Sequence, residues 1–209
     1  MNELSYYILD IVQNSINALS KNIILSVEET DEKITICISD DGIGMDTNEL
    51  NACVSPFYTT GNKKIGLGLS LFKEVCELAN GYFEIKSKKN EGTIVKGVLY
   101  KESLNCLPLG NLIETMVSIF CFSKTDVRIS YQYNDDSFML DTVSLKNKYE
   151  GLELQTPIVI KWLKEYLSQE LIRINNKFSN TMEEKNEIFR RLKENKRWVR
   201  CKTCNAWAP

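Results

Sequence analysis

Ser39-Asp40-Asp41-Gly42-Ile43-Gly44-Met45 ends a β-branched, alternating run and opens a loop. A carboxylate leaving a strand, followed by Gly-x-Gly, sets an acceptor beside a tight turn. An adenine exocyclic amine is a donor that needs such an acceptor, and the glycines let a flat ring approach the backbone. Taken alone, the stretch is equally an ordinary Asp-Gly turn. Its surroundings decide the reading. Upstream, residues 33–39 pair through the Asp31-Glu32 turn with an alternating run at 22–28. Before these, Leu4, Ile8, Ile11, Val12, Ile16 and Leu19 recur at helical spacing over 3–20. Downstream, the loop that begins at Asp40 runs past Gly61. A second helix follows over 67–79, closed by Asn80-Gly81. Strands at 82–88 and 93–100 are joined by a polar turn ending in Gly92. The order helix, hairpin, loop, helix, hairpin predicts an α+β fold: a two-layer sandwich with an antiparallel sheet.

After Tyr100 the composition changes. Leu107-Pro108-Leu109-Gly110 reads as a connector. An apolar helix over 110–123, a hairpin of 126–133 with 137–141, and an amphipathic helix over 158–172 opened by Pro157 follow. The expected organisation is a first domain over 1–100, a small second α+β unit over 109–172, and a charged tail over 173–209. That tail reads as helical to about Arg197. It has ten basic and four acidic residues, about +6 locally, and ends in Trp198-Val199-Arg200-Cys201-Lys202-Thr203-Cys204. The Cys201/Cys204 spacing supplies two thiolates, half of a tetrahedral zinc site. A redox dithiol and a plain exposed tail are the other readings.

A net charge of −2 over 209 residues gives no global pull toward nucleic acid or a membrane surface. No apolar run reaches the length of a membrane span, no signal peptide is expected, and the anticipated location is the cytoplasm. Seven cysteines, an odd number, fit a reducing compartment. The sequence has no histidine. Serine–histidine and cysteine–histidine triads are therefore excluded.

Three further stretches carry chemistry. In Asp10-Ile11-Val12-Gln13-Asn14, Asp10 and Asn14 are four apart and share a helix face. The Asn14 amide oxygen can serve as a hard ligand for Mg²⁺, and Asp10 can orient or deprotonate an attacking group beside it. Two polar residues on a solvated face are the alternative. Pro56-Phe57-Tyr58-Thr59-Thr60-Gly61-Asn62-Lys63-Lys64-Ile65-Gly66-Leu67-Gly68-Leu69 joins two hydroxyls, two lysines and Gly-x-Gly at the start of a helix, where freed amides make a phosphate site. It lacks the Gly-Lys-Ser/Thr of a P-loop, and no strand directly precedes it as a dinucleotide fingerprint requires. Gly92-Thr93 then opens the last strand of the first domain. A threonine hydroxyl there can bond the base or a water beneath it.

In this order, on these elements, the stretches resemble the GHKL superfamily of the Bergerat (histidine-kinase-like ATPase) fold. It includes gyrase, heat-shock chaperone ATPases, histidine kinases and MutL-type repair proteins. "DIVQNSINA" is similar to the asparagine motif, "DDGIGM" to the first glycine motif, "PFYTTG" to the phenylalanine motif, "GLGLSL" to the second glycine motif and "GT" to the last. The short lid and "PFYTTG…GLGLSL" look more like histidine kinases than gyrase. The resemblance spans residues 3–100. It implies ATP and Mg²⁺ as cofactors, with Asn14 on the metal and Asp40 on the adenine amine. It also implies that Gly42, Gly44 and Met45 shape the base pocket, that the loop with Thr59, Thr60 and Lys63 covers the phosphates, and that Gly66, Leu67, Gly68 and Leu69 form the phosphate-facing turn. Thr93 would support Asp40. One position departs from the family: its ATP-hydrolysing members and serine kinases carry Glu where Asp10 stands, and its histidine kinases usually carry Asn. The opening "LSYYILDIVQNSINA" and "PLGNLIETM" resemble small clostridial-type ATP-binding proteins, a group with relatives encoded near iron-hydrogenase and NADH-linked ferredoxin subunits.

A histidine kinase needs a dimerising hairpin with a phosphoacceptor histidine, and few residues precede Leu4. The expectation is therefore a phosphotransferase acting in trans, with Asp10 catalytic, on a partner protein. The competing expectation is an ATP-driven switch that hydrolyses slowly and regulates a partner complex, with a hydrogenase or redox link implied by the resemblance. Neither expectation involves nucleic acid or a membrane, and a homodimer stays open.

Overall fold

The computed structural model describes residues 2–53, 67–122, 125–149, 153–175, 199–200 and 207–208. Helix α1 (Leu4–Asn17) leads into the hairpin β1 (Asn22–Glu29) and β2 (Lys33–Asp40). Helix α2 (Thr47–Cys53), helix α3 (Leu67–Leu78) and the hairpin β3 (Tyr82–Lys88) and β4 (Gly92–Tyr100) follow. Helix α4 (Leu112–Phe122), strands β5 (Asp126–Tyr133) and β6 (Asp136–Asp141), and helices α5 (Thr142–Lys148) and α6 (Pro157–Asn175) come next. A two-residue pair, β7 (Val199–Arg200) and β8 (Trp207–Ala208), ends the described chain. Thr59, Thr60, Lys63, Gly66, Cys201, Cys204 and the stretch of the tail over 176–198 lie outside the described residues.

One six-stranded sheet, in the order β3-β4-β2-β1-β5-β6, forms one layer. The four strands of the first half pair antiparallel throughout, as expected for that half. At the seam with the strands that follow, β1 and β5 run parallel, with Ile23 opposite Val127 and Leu25 opposite Ile129. The chain leaves β4, passes through α4 on the helical layer, and lays β5 on the free edge of β1. A crossover of that kind delivers a parallel strand, whereas a tight turn cannot. The elements of the expected second unit thus continue the sheet of the first.

Alternation decides which face is buried. Ile23, Leu25 and Val27 on β1, Ile34, Ile36 and Ile38 on β2, and Val127, Ile129 and Tyr131 on β5 are all sealed under the helices. Each such burial contributes about 1.5–3 kcal/mol. On the opposite face Ile24, Ile94 and Met139 are exposed. In the helical layer α1 lies between α3 and α4, and α6 packs beside α4. Phe72 of α3 and Phe120 of α4 are fully enclosed, so one continuous core runs under both halves of the sheet.

Helix α1 has no side-chain cap at Glu3. The backbone carbonyls of the connector take that role: Leu4 N donates to Pro108 O at 2.9 Å and Ser5 N to Leu109 O at 3.0 Å. Two of the four orphan amides of the helix start are satisfied this way. At the other end Leu19 sits in the left-handed region (φ 59°), with Ser20 N returning to Ser15 O. That is a Schellman-type stop with a leucine where glycine is usual.

Helix α2 lies inside the stretch expected to be loop. The overlooked signal is Asp46-Thr47-Asn48-Glu49. Asp46 Oδ1 accepts from the amides of Asn48 and Glu49, and Glu49 Oε2 accepts from Asp46 N, which is a reciprocal capping box. Helix α5 is likewise started by Asp141, whose Oδ1 accepts from Val143 N and Ser144 N. The C-cap read at Asn80-Gly81 is present, with Asn80 the left-handed residue and Gly81 N donating to Cys76 O at 2.9 Å.

Candidate functional site

The site residues gather where α1, α3 and the ends of β2, β3 and β4 meet. On α1 the buried stripe is Leu4, Tyr7, Ile8, Ile11, Val12 and Ser15. Asp10 and Asn14 flank that stripe, both half-buried, on the side from which α3 approaches.

Asp10 and Gly68 are in contact. A Cβ built on Gly68 would fall 1.6 Å from Asp10 Oδ2, so only glycine allows the first turn of α3 to lie against that carboxylate. The same oxygen is sealed from solvent and has no hydrogen-bond partner among the described residues. Burial pushes the Asp10 carboxyl pKa above its ordinary value. An orphaned buried acceptor is costly and usually has a function. A cavity of about 290 Å³ between α1 and α4 also reaches Asp10, lined by Tyr6, Leu9, Val12, Gln13, Ile16 and Ile119. It lies on the side of α1 away from Asn14, and Asp40, Gly68 and Thr93 are not among its lining residues.

The two aspartates of the Asp40-Asp41 pair divide their work. Asp41 is exposed and structural: its carboxylate accepts from Lys21 N, Asn22 N and Asn22 Nδ2, which clamps the start of β1. Those bonds hold its pKa below the usual range, with the Asn22 side chain the leading cause. Asp40 turns toward the helices. Its Oδ2 accepts from Ser15 Oγ at 2.7 Å and its Oδ1 from Gly42 N at 2.9 Å. A carboxylate offers about four lone-pair sites, so two remain for a ligand.

Register sets the rest of the row. Thr93 stands directly opposite Asp40, and Ser87 directly opposite Thr93, across three neighbouring strands. Ser87 Oγ lies 2.9 Å from Thr93 Oγ1 and accepts from Met45 N at 2.8 Å, which ties the Gly42–Met45 turn to the sheet. Gly44 takes a positive φ of 59°, and a Cβ there would strike Lys88 O at 2.0 Å. The Met45 side chain packs at the margin of the core, while Leu69 turns into it. Ser15 and Ser87 are the polar residues that motif reading missed. The Ser15 signal was visible in its place after Asn14, whereas Ser87 is legible only once register is known.

The donor set suits a nucleotide with a divalent cation. It combines an ionic acceptor at the sheet end, a hydroxyl beside it, an amide on α1 and an unpartnered carboxylate oxygen at a helix start. Among the described residues no cluster of three or more His, Cys, Asp or Glu forms a metal site. A metal here would therefore depend on few protein ligands, as Mg²⁺ does. Cys37, Cys53, Cys76, Cys106 and Cys121 are all free thiols. Burial, the leading cause, pushes Cys76 up to about 12.

The family model "Histidine kinase-, DNA gyrase B-, and HSP90-like ATPase" matches residues 2–102, the stretch that holds Asp10, Asn14, Ser15, Asp40, Gly68, Ser87 and Thr93. Residues 2–102 are a domain of this ATPase superfamily. Sporulation kinase C of Bacillus subtilis is 30% identical over 100 residues, which is 47% of this chain and 23% of that kinase. Sporulation kinase E of the same organism is 30% identical over 96 residues, 44% of this chain and 13% of that kinase. The sensor histidine kinase ZraS of Salmonella typhimurium is 28% identical over 94 residues, 44% of this chain and 20% of that protein. The chain thus spans less than a quarter of the length of these relatives. The N-terminal domain of a DNA repair protein superposes at a TM-score of 0.45 with 15% identity, covering 68% of this chain and 53% of that one. No helix among the described residues is long and apolar enough to cross a membrane.

Proposed function

We propose that this histidine-kinase-like ATPase domain binds ATP with Mg²⁺ and acts in trans as a regulatory phosphotransferase on a partner protein. The observation that carries the proposal is the Asp10 carboxylate. It lies where the first and fourth motifs meet, with one oxygen that has no hydrogen-bond partner among the described residues. Asp40 would take the base amine, Asn14 would hold the metal, and the first turn of α3 would face the phosphates. When bound, the metal supplies charge neutralisation on the phosphoryl oxygens. Asp10, kept poorly solvated, is suited to accept a proton from an acceptor hydroxyl entering beside it. The 209 residues contain no histidine, so a phosphoryl group destined for histidine must go to a histidine outside them.

The test is to incubate the protein with Mg-ATP carrying a γ-label and follow melting, ADP release and label on co-purified proteins. Binding at a hundredfold excess over Kd should add about 2.7 kcal/mol of stability. Asp40→Ala should remove that shift. Asp10→Asn should keep it and stop transfer. Label that never leaves ATP, with every candidate partner present, would overturn the transferase reading.

A second reading is an ATP-driven switch with slow hydrolysis. The capping of α1 by Pro108 and Leu109 favours it, because that contact couples the nucleotide helix to the rest of the chain. Equal partner affinity with and without ATP would remove it, since a ligand shifts only states that it binds differently.

A further inference from the structure

The hydroxyl row at the sheet end has a polarity that its neighbours decide. Ser87 Oγ has three partners: Met45 N at 2.8 Å, Gly92 O at 3.0 Å and Thr93 Oγ1 at 2.9 Å. A backbone N–H can only donate and a backbone C=O can only accept. A serine hydroxyl has one hydrogen and two lone pairs. Met45 therefore occupies one lone pair, and the single hydrogen goes to Gly92 O. The remaining lone pair can only accept, so the hydrogen on that bond comes from Thr93.

We infer that Ser87 is a specificity-determining positioning residue: it draws the Thr93 hydrogen inward, so that Thr93 presents only lone pairs to the base pocket. The inference rests on the nucleotide reading above. Asp40 is already an acceptor, with Ser15 Oγ and Gly42 N holding its two oxygens in place. The cross-strand pair Asp40–Thr93, whose Cβ atoms stand about 5 Å apart as directly opposite residues do, then forms an edge of acceptors. Such an edge takes a base with an exocyclic amine, directly or through a water that donates. It disfavours a base that shows a carbonyl at the same position, because acceptor then faces acceptor at C6. The N1–H that accompanies such a carbonyl can still donate to one oxygen of the edge, whereas adenine N1 is met through the donating water, so the penalty falls at C6. Discrimination at C6 of the purine is thus shared between Asp40 and the proton order of the half-buried Ser87 and Thr93.

The experiment compares Mg-ATP with Mg-ITP, which differ at C6 and N1 only, on the full chain. Ser87→Ala releases the Thr93 hydrogen, which can then serve a carbonyl. ITP should bind about five- to tenfold more tightly than to the unaltered protein, the worth of one recovered hydrogen bond. ATP affinity should change little or fall. Ser87→Thr keeps the oxygen and should restore the original ratio. In a Thr93→Val background Ser87→Ala should no longer alter the ratio. A gain for ITP is a signal that a loosened turn cannot produce. Parallel weakening of both nucleotides, or no gain for ITP, overturns the inference. Should Ser87→Ala fail to fold, the unaltered protein still decides the matter: purine riboside triphosphate, which differs from ATP only in lacking the C6 amine, binding as well as ATP would mean that no acceptor faces C6. The acceptor edge requires ATP to be the tighter of the two. If the unaltered protein binds no purine triphosphate at all, the nucleotide reading itself falls.

Discussion

At Asp10 the chain keeps a carboxylate in a setting that favours its neutral form. Because burial raises the folded-state pKa above the ordinary 3.8, the folded protein holds that proton more tightly than the unfolded chain. Stability from this group is complete below 3.8 and is lost as pH rises through the folded value. Asp10→Asn, nearly isosteric, should therefore melt with the unaltered protein in strong acid and above it at neutral pH. Melting curves across that range check this; a variant less stable at pH 7 would show that the ionised carboxylate is held by a favourable contact in the folded protein. Gly68→Ala should cost about 1–3 kcal/mol, because its methyl group would overlap Asp10 Oδ2. The cost should shrink sharply in an Asp10→Ala background. Chemical denaturation of the four proteins measures that coupling, and simple additivity would mean that the two residues do not touch.

Among the elements, helix ends offer the clearest predictions. Removing the Asp46 side chain from the capping box of α2 should cost about 1 kcal/mol. Leu19→Gly should do the reverse, gaining roughly 0.5–1 kcal/mol in denaturant, since a left-handed leucine is strained and this one is 78% exposed. The elements also mark what could be read from the sequence. Helical spacing in α1, α3 and α6 and alternation in the four strands of the first half were legible because long amphipathic patterns advertise their buried face. Helix α2 was not, since seven residues with only Ala52 and Cys53 buried make no stripe. Its start lay in the Asp46–Glu49 spacing, which the Gly-rich loop before it overshadowed. Asp10, Asn14 and Asp40 were legible as types at spacings. The contact of Asp10 with Gly68 joins residues 58 positions apart, and the Ser87–Thr93 bond needs the β3/β4 register, so neither follows from local pattern.

Across the whole molecule, the parallel seam between β1 and β5 and the shared core predict one unfolding event. Ile129→Ala, at a fully enclosed position on β5, should lower stability by about 2–5 kcal/mol. It should do so equally by tryptophan fluorescence, with Trp162 on α6, and by the far-ultraviolet signal of the entire chain. Transitions that separate would mean that the two halves of the sheet melt independently. The connector contact carries a further consequence. Helix α1 bears Asp10 and Asn14, yet its first amides are held by Pro108 and Leu109, and its flank rests on α4. Thermodynamic reciprocity then applies. A protein gripping α4 or α6 that prefers one seating of α1 must change nucleotide affinity by a definite factor, and nucleotide must change that protein's affinity by the same factor. Whatever this chain listens to through its second half, it also answers.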